Sequence, residues 1–211
     1  MNTVFAVALA YLVGSIPFAY LLSRRQGIDL RRAGSGNVGA SNVLRTTGAR
    51  AAVIAMVLDG VKGSAAVLMA QLLSAGAVTA VAAACVSVVG HVYPIWLRFK
   101  GGKGVATAAG AFAVLAPEAL GVAAAVFVVA VIVTRFISLG SIAGALTLTL
   151  VAALSDVPAV VTVGATVATL IIIYRHRDNL ARLAAGTERR VGQRVVEPGG
   201  SAADAHAGPL G

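Results

Sequence analysis

Seven apolar segments, separated by short breaks that contain Pro, Gly, Ser or charged residues, are the feature that most constrains the fold of this chain. They cover residues 3–23, 51–73, 77–97, 104–116, 119–134, 137–154 and 158–174. A bilayer hydrocarbon core of about 30 Å requires about 20 residues of helix. Of the 211 residues, 58% are hydrophobic and only 12% are charged, well below the charge of a soluble domain. The pattern predicts an all-α polytopic membrane protein.

The fourth and fifth segments are short, so residues 104–134 fit either two helices or one long kinked helix. Charge favours two, because seven spans place sixteen of the 17 Lys and Arg residues on one side of the membrane. These residues are Arg24, Arg25, Arg31, Arg32, Arg45, Arg50, Arg98, Lys100, Lys103, Arg135, Arg175, Arg177, Arg182, Arg189, Arg190 and Arg194. Basic loops face the cytoplasm, which predicts seven transmembrane helices, the N-terminus outside and the C-terminus cytoplasmic.

The domain organisation follows from the same pattern. We expect one membrane domain over residues 1–191 and a polar, Gly/Ala-rich, disordered tail over residues 192–211. The first segment has no basic residues before it, which favours a spanning helix over a cleaved signal peptide. Cys85 is the only cysteine, which excludes a disulfide framework and a cysteine-based metal site. The net charge of +9 lies in short loops, so no nucleic-acid partner is predicted.

Residues 34–42, GSGNVGASN, have the spacing G-x-G-x-x-G at Gly34, Gly36 and Gly39. A dinucleotide fold requires a buried strand before this motif and an acidic residue about 20 positions after it. The preceding SRRQGIDLRRA has no strand pattern, and Asp59 lies within an apolar segment, so that fold is excluded. Glycine allows backbone N–H groups to converge on an anion, and the segment is therefore a candidate phosphate loop.

A second basic, glycine-rich segment is RFKGGKGVAT, residues 98–107, with Lys100 and Lys103 on either side of Gly101 and Gly102. The spacing G-x-x-x-x-G-K-[ST] is absent, so ATP hydrolysis is not predicted. A helix that begins near Val105 would direct its positive dipole end towards an anion. The alternative for both loops is that glycine only forms the turn and the charge only orients the protein in the membrane.

The third segment, YRHRDNLARLAAGTE over residues 174–188, is predicted to form an interfacial helix. Arg175, Asn179 and Arg182 share one helical face. His176 is either a functional group or a polar cap at the membrane surface. Arg175 and Arg177 are either ligands or anchors for lipid headgroups.

Other polar residues lie within or beside apolar segments. Asp59 and Lys62 are three residues apart on one helical face, and a lone charge in the bilayer costs about 2.5–3.5 kcal/mol, so we expect them to pair. The pair is either structural or lines a substrate cavity. His91 is interpreted as a packed interface residue rather than a site residue, and His206, in the tail, has no predicted role.

In order along the chain, GSGNVGASN, FKGGKGVAT and HRDNLARLAAGTE resemble the three signature segments of the bacterial acyl-phosphate:glycerol-3-phosphate acyltransferases (PlsY type). The segments GSIPFAYLLSRRQGIDLRRAGSGN (14–37) and GHVYPIW (90–96) are also similar, so the resemblance extends from about residue 14 to 188. Ser41 stands where members commonly have Thr, which keeps the hydroxyl group.

The resemblance implies a seven-helix enzyme of the bacterial inner (plasma) membrane whose motifs face the cytoplasm. Members transfer a fatty acyl group from acyl phosphate to the 1-hydroxyl of glycerol 3-phosphate, which yields lysophosphatidic acid and phosphate. This is the first acylation of phospholipid synthesis, and it uses no cofactor, metal or acyl-CoA. The implied partners are the two substrates, the lipid bilayer and the soluble enzyme that makes acyl phosphate.

The resemblance also implies site residues. The catalytic candidates are Ser35, Arg45, Lys103, His176 and Asn179. The substrate-binding candidates are Gly34, Gly36, Asn37, Gly39, Asn42, Lys100, Gly101, Gly102, Gly104 and Glu188. Ser35 and the first-loop amides (Gly34, Gly36, Asn37) would hold phosphate, while Arg45 and Lys103 would neutralise charge. His176 and Asn179 would position glycerol 3-phosphate, and Glu188 would brace the third segment.

The residues do not decide whether the general base is His176 or a substrate phosphate. Direct transfer is favoured over a covalent Ser35 intermediate, because acyl phosphate is already activated. The acyl-CoA-type signature, an Asp five residues after a His, is absent after His91, His176 and His206. A transporter for a small anion is the rival class. Its polar groups are expected near mid-membrane in paired repeats, whereas here they cluster on one face without a repeat.

Overall fold

The computed structural model describes residues 2–73 and 76–192, and within them the fold is all-α. The helices are α1 (Asn2–Gly14), α2 (Phe18–Arg25), α3 (Ala40–Thr46), α4 (Ala49–Leu73), α5 (Ala77–Val92), α6 (Val105–Leu115), α7 (Pro117–Thr134), α8 (Ile137–Leu154), α9 (Ala159–Arg175) and α10 (Arg177–Ala184). A 3₁₀ turn, Ile95–Leu97, follows α5. Apart from Gly192, the predicted disordered tail lies outside the described residues.

Each of the seven apolar segments contains a helix, and the structure adds detail at two places. The first segment is broken at residues 15–17, where Pro17 has no N–H to donate, so that α1 and α2 together form it. The choice left open for residues 104–134 is decided in favour of two helices. The break lies at Ala116 (φ −152°, ψ 66°), and Pro117 occupies the first turn of α7, where its missing N–H costs nothing.

By length and composition, five helical segments of the described chain can cross a membrane, or six if α9 and α10, bent by 55°, count as one. The first of these segments combines α1 and α2. Helix α6 has 11 residues, which at about 1.5 Å per residue covers only roughly half of a bilayer core. Seven crossings and the orientation of the termini therefore stay predictions.

The outer surfaces of the long helices are apolar, as a lipid-facing surface requires. Leu72, Leu154 and Ile132 are 88%, 79% and 72% exposed. The predicted interfacial helix is present as α10, directly after α9. The short helix α3, which follows the first glycine-rich loop, was not predicted, because its seven residues carry no extended apolar period.

Close approach of helix backbones holds the interior together. A Cβ on Gly14 would lie 2.2 Å from the carbonyl oxygen of Ser87, and one on Gly110 would lie 1.8 Å from that of Gly60. Helices α1 and α5, and likewise α4 and α6, therefore touch through residues that have no side chain. This is the usual packing of membrane helices, where hydrophobicity alone does not drive association.

The expected pair of Asp59 and Lys62 is confirmed. Lys62 Nζ lies 2.8 Å from Asp59 Oδ1, and both side chains are buried. The ammonium group also donates a hydrogen bond of 2.7 Å to the carbonyl oxygen of Ile16, at the break between α1 and α2. One charged pair within α4 thus stabilises the irregular backbone of the first segment.

Substituting Gly110→Ala tests the α4–α6 contact. We expect a loss of about 1–3 kcal/mol in the free energy of unfolding, because the new methyl group forces the two backbones apart. The measurement is thermal unfolding of the purified protein in detergent. Gly121→Ala on α7 is the matched control, because its Cβ meets nothing within 4 Å and alanine favours the helix. Equal unfolding temperatures for the two variants would contradict the close contact.

Candidate active site

The three sequence motifs meet at one cavity of about 1450 Å³. One end of the cavity, here called the cationic end, is formed by the first glycine-rich loop, residues 100–105 and the segment around α10. The remainder, here called the apolar trough, lies between α4, α6, α7 and α8. Its lining includes Met56, Ala113, Leu120, Phe127 and Leu148. A polar mouth and an apolar interior thus share one space.

Most of the predicted site residues line this cavity. They are Gly34, Ser35, Gly36, Asn37, Gly39, Arg45, Lys100, Gly101, Lys103, Gly104, His176, Asn179 and Glu188. Two predicted binding residues, Asn42 and Gly102, are not part of its lining. The structure therefore brings the motifs together in space but gives these two residues another task.

Asn42 is fully buried and organises the first loop. Its Oδ1 accepts the amide hydrogen of Ser35 at 2.9 Å. Its Nδ2 donates to the carbonyl oxygens of Ala33 and Asn37, each at 3.0 Å, and to that of Leu30 at 3.2 Å. Because these bonds use its amide group, Asn42 shapes the loop rather than contacting a substrate.

The first loop offers fewer amides to an anion than predicted. The N–H of Gly36 donates to the carbonyl oxygen of Ala33 at 3.1 Å, within the turn. Within residues 2–73 and 76–192, the amides of Gly34 and Asn37 have no hydrogen-bond partner. Gly34 adopts φ +63°, and a Cβ there would lie 2.2 Å from Asn42 Oδ1. Two of the three predicted amides, together with the exposed Ser35 side chain, stay available.

The GGKG loop (residues 101–104) is packed against the end of α5. The amide groups of Gly101 and Gly102 donate to the carbonyl oxygens of Val92 at 3.0 Å and His91 at 3.2 Å. A Cβ on Gly102 would lie 2.2 Å from His91 Nε2. The doubled glycine therefore allows close packing, and its two amides are already hydrogen-bonded within the protein.

Four side chains form a continuous polar network behind the cationic end. Lys103 Nζ donates a hydrogen bond to Asn179 Oδ1. Asn179 Nδ2 donates to Glu188 Oε1 at 2.6 Å, and Arg182 Nε donates to Glu188 Oε2 at 2.8 Å. Glu188 thus pairs with an arginine of the third motif, and it also fixes the amide that receives Lys103.

Sequence reasoning missed Ser138 and did not foresee the role of Arg175, which it left open between a ligand and an anchor for lipid headgroups. Ser138, at the start of α8, donates to Glu188 Oε1 at 2.8 Å and is buried. A serine in an apolar segment gives no signal of such a role. Arg175 donates to the carbonyl oxygen of Gly102 at 3.3 Å and lies 5.7 Å from the Tyr93 ring centroid. This contact makes Arg175 a brace for the GGKG loop that also lines the cavity.

Burial and neighbouring cations perturb the ammonium group of Lys103. Desolvation, followed by the repulsion of Arg182, Arg45 and Arg175, lowers the pKa of Lys103 from 10.5 to about 8, although Glu188 opposes the change. Burial also lowers the pKa of Arg45, which remains a cation. The cationic end therefore holds more positive charges than its two carboxylates, Asp178 and Glu188, can neutralise, and a bound phosphate would neutralise this excess.

His176 is buried and uncharged. Desolvation, and then the nearby Lys103, lower the pKa of His176 to about 4. Its Nδ1 lies 2.8 Å from the carbonyl oxygen of Ile172, which can only accept, so Nδ1 carries the ring proton. The other ring nitrogen, Nε2, is then an acceptor. His176 can orient a hydroxyl group, but it is a weak base.

Among the described residues, no group of three or more His, Cys, Asp or Glu side chains is placed to hold a metal ion. The cationic end would also repel a metal ion. The arrangement suits anionic ligands instead.

Comparisons with known proteins agree with one another. Residues 4–186 match the family model described as glycerol-3-phosphate acyltransferase. A glycerol-3-phosphate acyltransferase of Desulforamulus reducens is 42% identical over 195 residues, covering 92% of this chain and 98% of the relative. One of Geobacter sulfurreducens is 44% identical over 191 residues, covering 90% of this chain and 98% of the relative.

Two crystal structures of PlsY (YgiH), an integral membrane glycerol 3-phosphate acyltransferase, have the same fold. The glycerol 3-phosphate form matches with a TM-score of 0.87 at 38% identity, covering 91% of this chain and 96% of the other. The lysophosphatidic acid form matches with a TM-score of 0.85 at 37% identity, with the same coverage. These likenesses extend over nearly the whole length of the chains.

Substituting Asn42→Ala tests the loop assignment. Leaving buried partners unsatisfied costs about 1–3 kcal/mol, so we expect amide exchange across residues 30–37 to accelerate by roughly tenfold to a hundredfold. The measurement is hydrogen–deuterium exchange of the intact protein followed by mass spectrometry. Asn37→Ala is the control, because its side-chain amide donates no hydrogen bond in the described part of the chain. Unchanged protection in Asn42→Ala would refute the role of Asn42 as the clamp of this loop.

Proposed function

The chain belongs to the glycerol-3-phosphate acyltransferase family of integral membrane enzymes, and from that premise we propose its donor and product. The donor is acyl phosphate, its fatty acyl group passes to the 1-hydroxyl of glycerol 3-phosphate, and the products are lysophosphatidic acid and inorganic phosphate. Each substrate carries a phosphate, and the donor also carries a long apolar chain. This combination requires a cationic site that is continuous with an apolar one.

The single observation that carries the proposal is the continuity of the cationic end with the apolar trough. Residues lining the trough on α8 run from Ile137 to Leu148, which is about 16 Å of helix at 1.5 Å per residue. An extended chain of about a dozen carbons fits this depth. Its phosphate would then lie among Ser35, Arg45 and Lys103, next to the acyl carbon that reacts.

In the proposed reaction, the 1-hydroxyl oxygen of glycerol 3-phosphate attacks the carbonyl carbon of the donor. The bond from that carbon to the phosphate oxygen breaks, and the phosphate leaves with the electron pair. Lys103 and Arg45 stabilise the negative charge that develops on the carbonyl oxygen and the leaving group. Asn179 holds Lys103 in place, and the amides of Gly34 and Asn37 bind phosphate oxygens.

The proton of the attacking hydroxyl passes to a substrate phosphate in this scheme. The pKa of His176, about 4, leaves the imidazole neutral at physiological pH, so its Nε2 orients the hydroxyl group by accepting its hydrogen bond. Direct transfer is favoured over a covalent intermediate. Among the described residues, no hydrogen bond joins Ser35 Oγ to His176 or to another general base that would activate it.

The topology belongs to the same proposal. We place the chain in the bacterial inner membrane with seven crossings, the N-terminus outside and the C-terminus cytoplasmic. The site would then face the cytoplasm, where glycerol 3-phosphate is dissolved, and the apolar trough would receive the acyl chain within the bilayer. The concentration of Lys and Arg in the loops of one side supports this orientation. A soluble enzyme that makes acyl phosphate is the proposed upstream partner.

The direct test is release of inorganic phosphate by the purified protein supplied with palmitoyl phosphate and glycerol 3-phosphate, beside palmitoyl-CoA as the alternative donor. We expect release that requires both phosphate substrates, formation of lysophosphatidic acid and no reaction with palmitoyl-CoA. Lys103→Met should lower kcat by about 10²–10³-fold, as loss of one electrostatic contact to a transition state does. Product from palmitoyl-CoA, or none from palmitoyl phosphate, would reject the assigned donor.

The pH dependence of kcat/KM is a second prediction. Lys103 loses its charge as the pH rises through about 8, so activity should fall above this pH. Glu188→Gln removes a charge that raises the pKa of Lys103, and the fall should move to lower pH. Arg182→Gln removes a charge that lowers this pKa, and the fall should move to higher pH.

The control for these pH profiles is Glu118→Gln, which removes the same charge at the far end of α7 and should leave the profile unchanged. All rates are corrected for spontaneous hydrolysis of the acyl phosphate. Identical profiles for Glu188→Gln, Arg182→Gln and the wild type would refute a catalytic role for the protonated Lys103.

A further inference from the structure

A second group of ionisable side chains, of which two reach the lining of the cavity, is buried and has no role in the proposed reaction. Asp59, Lys62 and His91 form this inner cluster, and they are 2%, 3% and 8% exposed. Lys62 Nζ lies 2.8 Å from Asp59 Oδ1, and His91 Nδ1 lies 3.6 Å from the same oxygen. Charges this deeply buried are costly, so a structural or functional reason for them is required.

The inner cluster connects two irregular stretches of backbone. On one side, Lys62 donates to the carbonyl oxygen of Ile16 at 2.7 Å, and its ammonium lies 5.9 Å from the Phe18 ring centroid. On the other side, His91 contacts the GGKG loop: its carbonyl oxygen accepts the amide of Gly102, and its Nε2 packs on the Cα of Gly102. The carboxylate of Asp59 lies between them.

The backbone of Gly102 is consequently held at its N–H group, its Cα atom and its carbonyl oxygen. Its N–H bonds to His91, its Cα packs against the His91 ring, and its carbonyl oxygen accepts from Arg175 at 3.3 Å. The next residue is Lys103, whose ammonium bonds to Asn179. The position of the His91 ring therefore limits where Lys103 can lie.

We infer that the inner cluster is a positioning device for Lys103: Asp59 orients the His91 ring, Lys62 ties Asp59 to the break in the first segment, and the ring fixes Gly102. None of the three side chains needs to touch a substrate for this role. The inference rests on the proposed function only because that function assigns a catalytic role to Lys103. The position of Lys103 can be measured without any turnover.

The experiment is competitive acetylation of the intact protein in detergent over a range of pH, with mass spectrometric analysis of each lysine. The chain contains Lys62, Lys100 and Lys103 alone, so every peptide is assignable. Lys100 is exposed and serves as the internal reference. The labelling midpoint of Lys103 should lie near pH 8 in the wild-type protein, because burial and adjacent cations lower the pKa of its ammonium group.

The test variants are His91→Phe, Gly102→Ala and Asp59→Asn. Each should raise the Lys103 midpoint towards 10.5, because displacement from the buried, cation-rich position removes both causes of the lowered pKa. The labelling of Lys100 should be the same in every variant as in the wild-type protein. Gly121→Ala, whose Cβ meets nothing within 4 Å, is the control and should keep the Lys103 midpoint near 8.

Asp59→Asn leaves Lys62 buried without its counterion and can fail to fold for that reason alone. The double variant Asp59→Leu/Lys62→Met replaces both charges with apolar side chains and keeps the interior filled. We expect this variant to fold with a raised Lys103 midpoint and a kcat that is at least tenfold lower. A midpoint near 8 in the folded double variant, and in folded His91→Phe, would overturn the inference.

Measurements of turnover distinguish a failure of this inference from a failure of the proposed function. If the wild-type protein releases no phosphate from palmitoyl phosphate, the proposed donor fails, while the labelling midpoints still decide whether the inner cluster positions Lys103. In an active enzyme, the variants should lower kcat with a smaller change in KM, since Lys103 acts on charge that develops in the transition state. Activity that falls only in proportion to the folded fraction would indicate a purely structural cluster.

Discussion

Water is scarce within a bilayer, so polar groups in the membrane-spanning part of a fold are stabilised by partners in the chain itself. The break in the first apolar segment illustrates the constraint. The carbonyl oxygen of Ile16 receives the ammonium group of Lys62, and Asp59 neutralises that ammonium. Elsewhere in the interior, glycines such as Gly14 and Gly110 allow helix backbones to approach too closely for any side chain. Close backbone packing and charge pairing therefore both stabilise this fold within a bilayer.

The same constraint gives the cationic end its chemical character. Lys103, Arg45, Arg175 and Arg182 outnumber the carboxylates at this end, Glu188 and Asp178, so an anion would balance the remaining positive charge. Hydrogen bonds from Asn179 and Ser138 hold the Glu188 carboxylate in place. Its negative charge reduces the repulsion among these cations. Groups that are oriented in this way before an anion binds are the arrangement that electrostatic catalysis requires.

The candidate active site also depends on residues that hold its loops in place. Asn42 holds the first loop, Arg175 and His91 hold the GGKG loop, and Glu188 holds Asn179. The substrate-facing groups sit on short loops, which on their own would be too mobile to fix a reacting geometry. Buried partners from α3, α5, α8 and α9 supply the rigidity that the loops lack.

The sequence by itself determined the class of protein, the approximate position of each apolar helix, the pairing of Asp59 with Lys62 and the three motifs. These features depend on local physics: the length and polarity of a segment, and the spacing of residues along one helix. Only the tertiary structure decided that Asn42 and Gly102 shape loops instead of lining the cavity, and that Ser138 meets Glu188 across 50 residues of chain. Such partners are chosen by how helices pack, and a hydrogen bond between distant segments leaves no mark in the local pattern of either one.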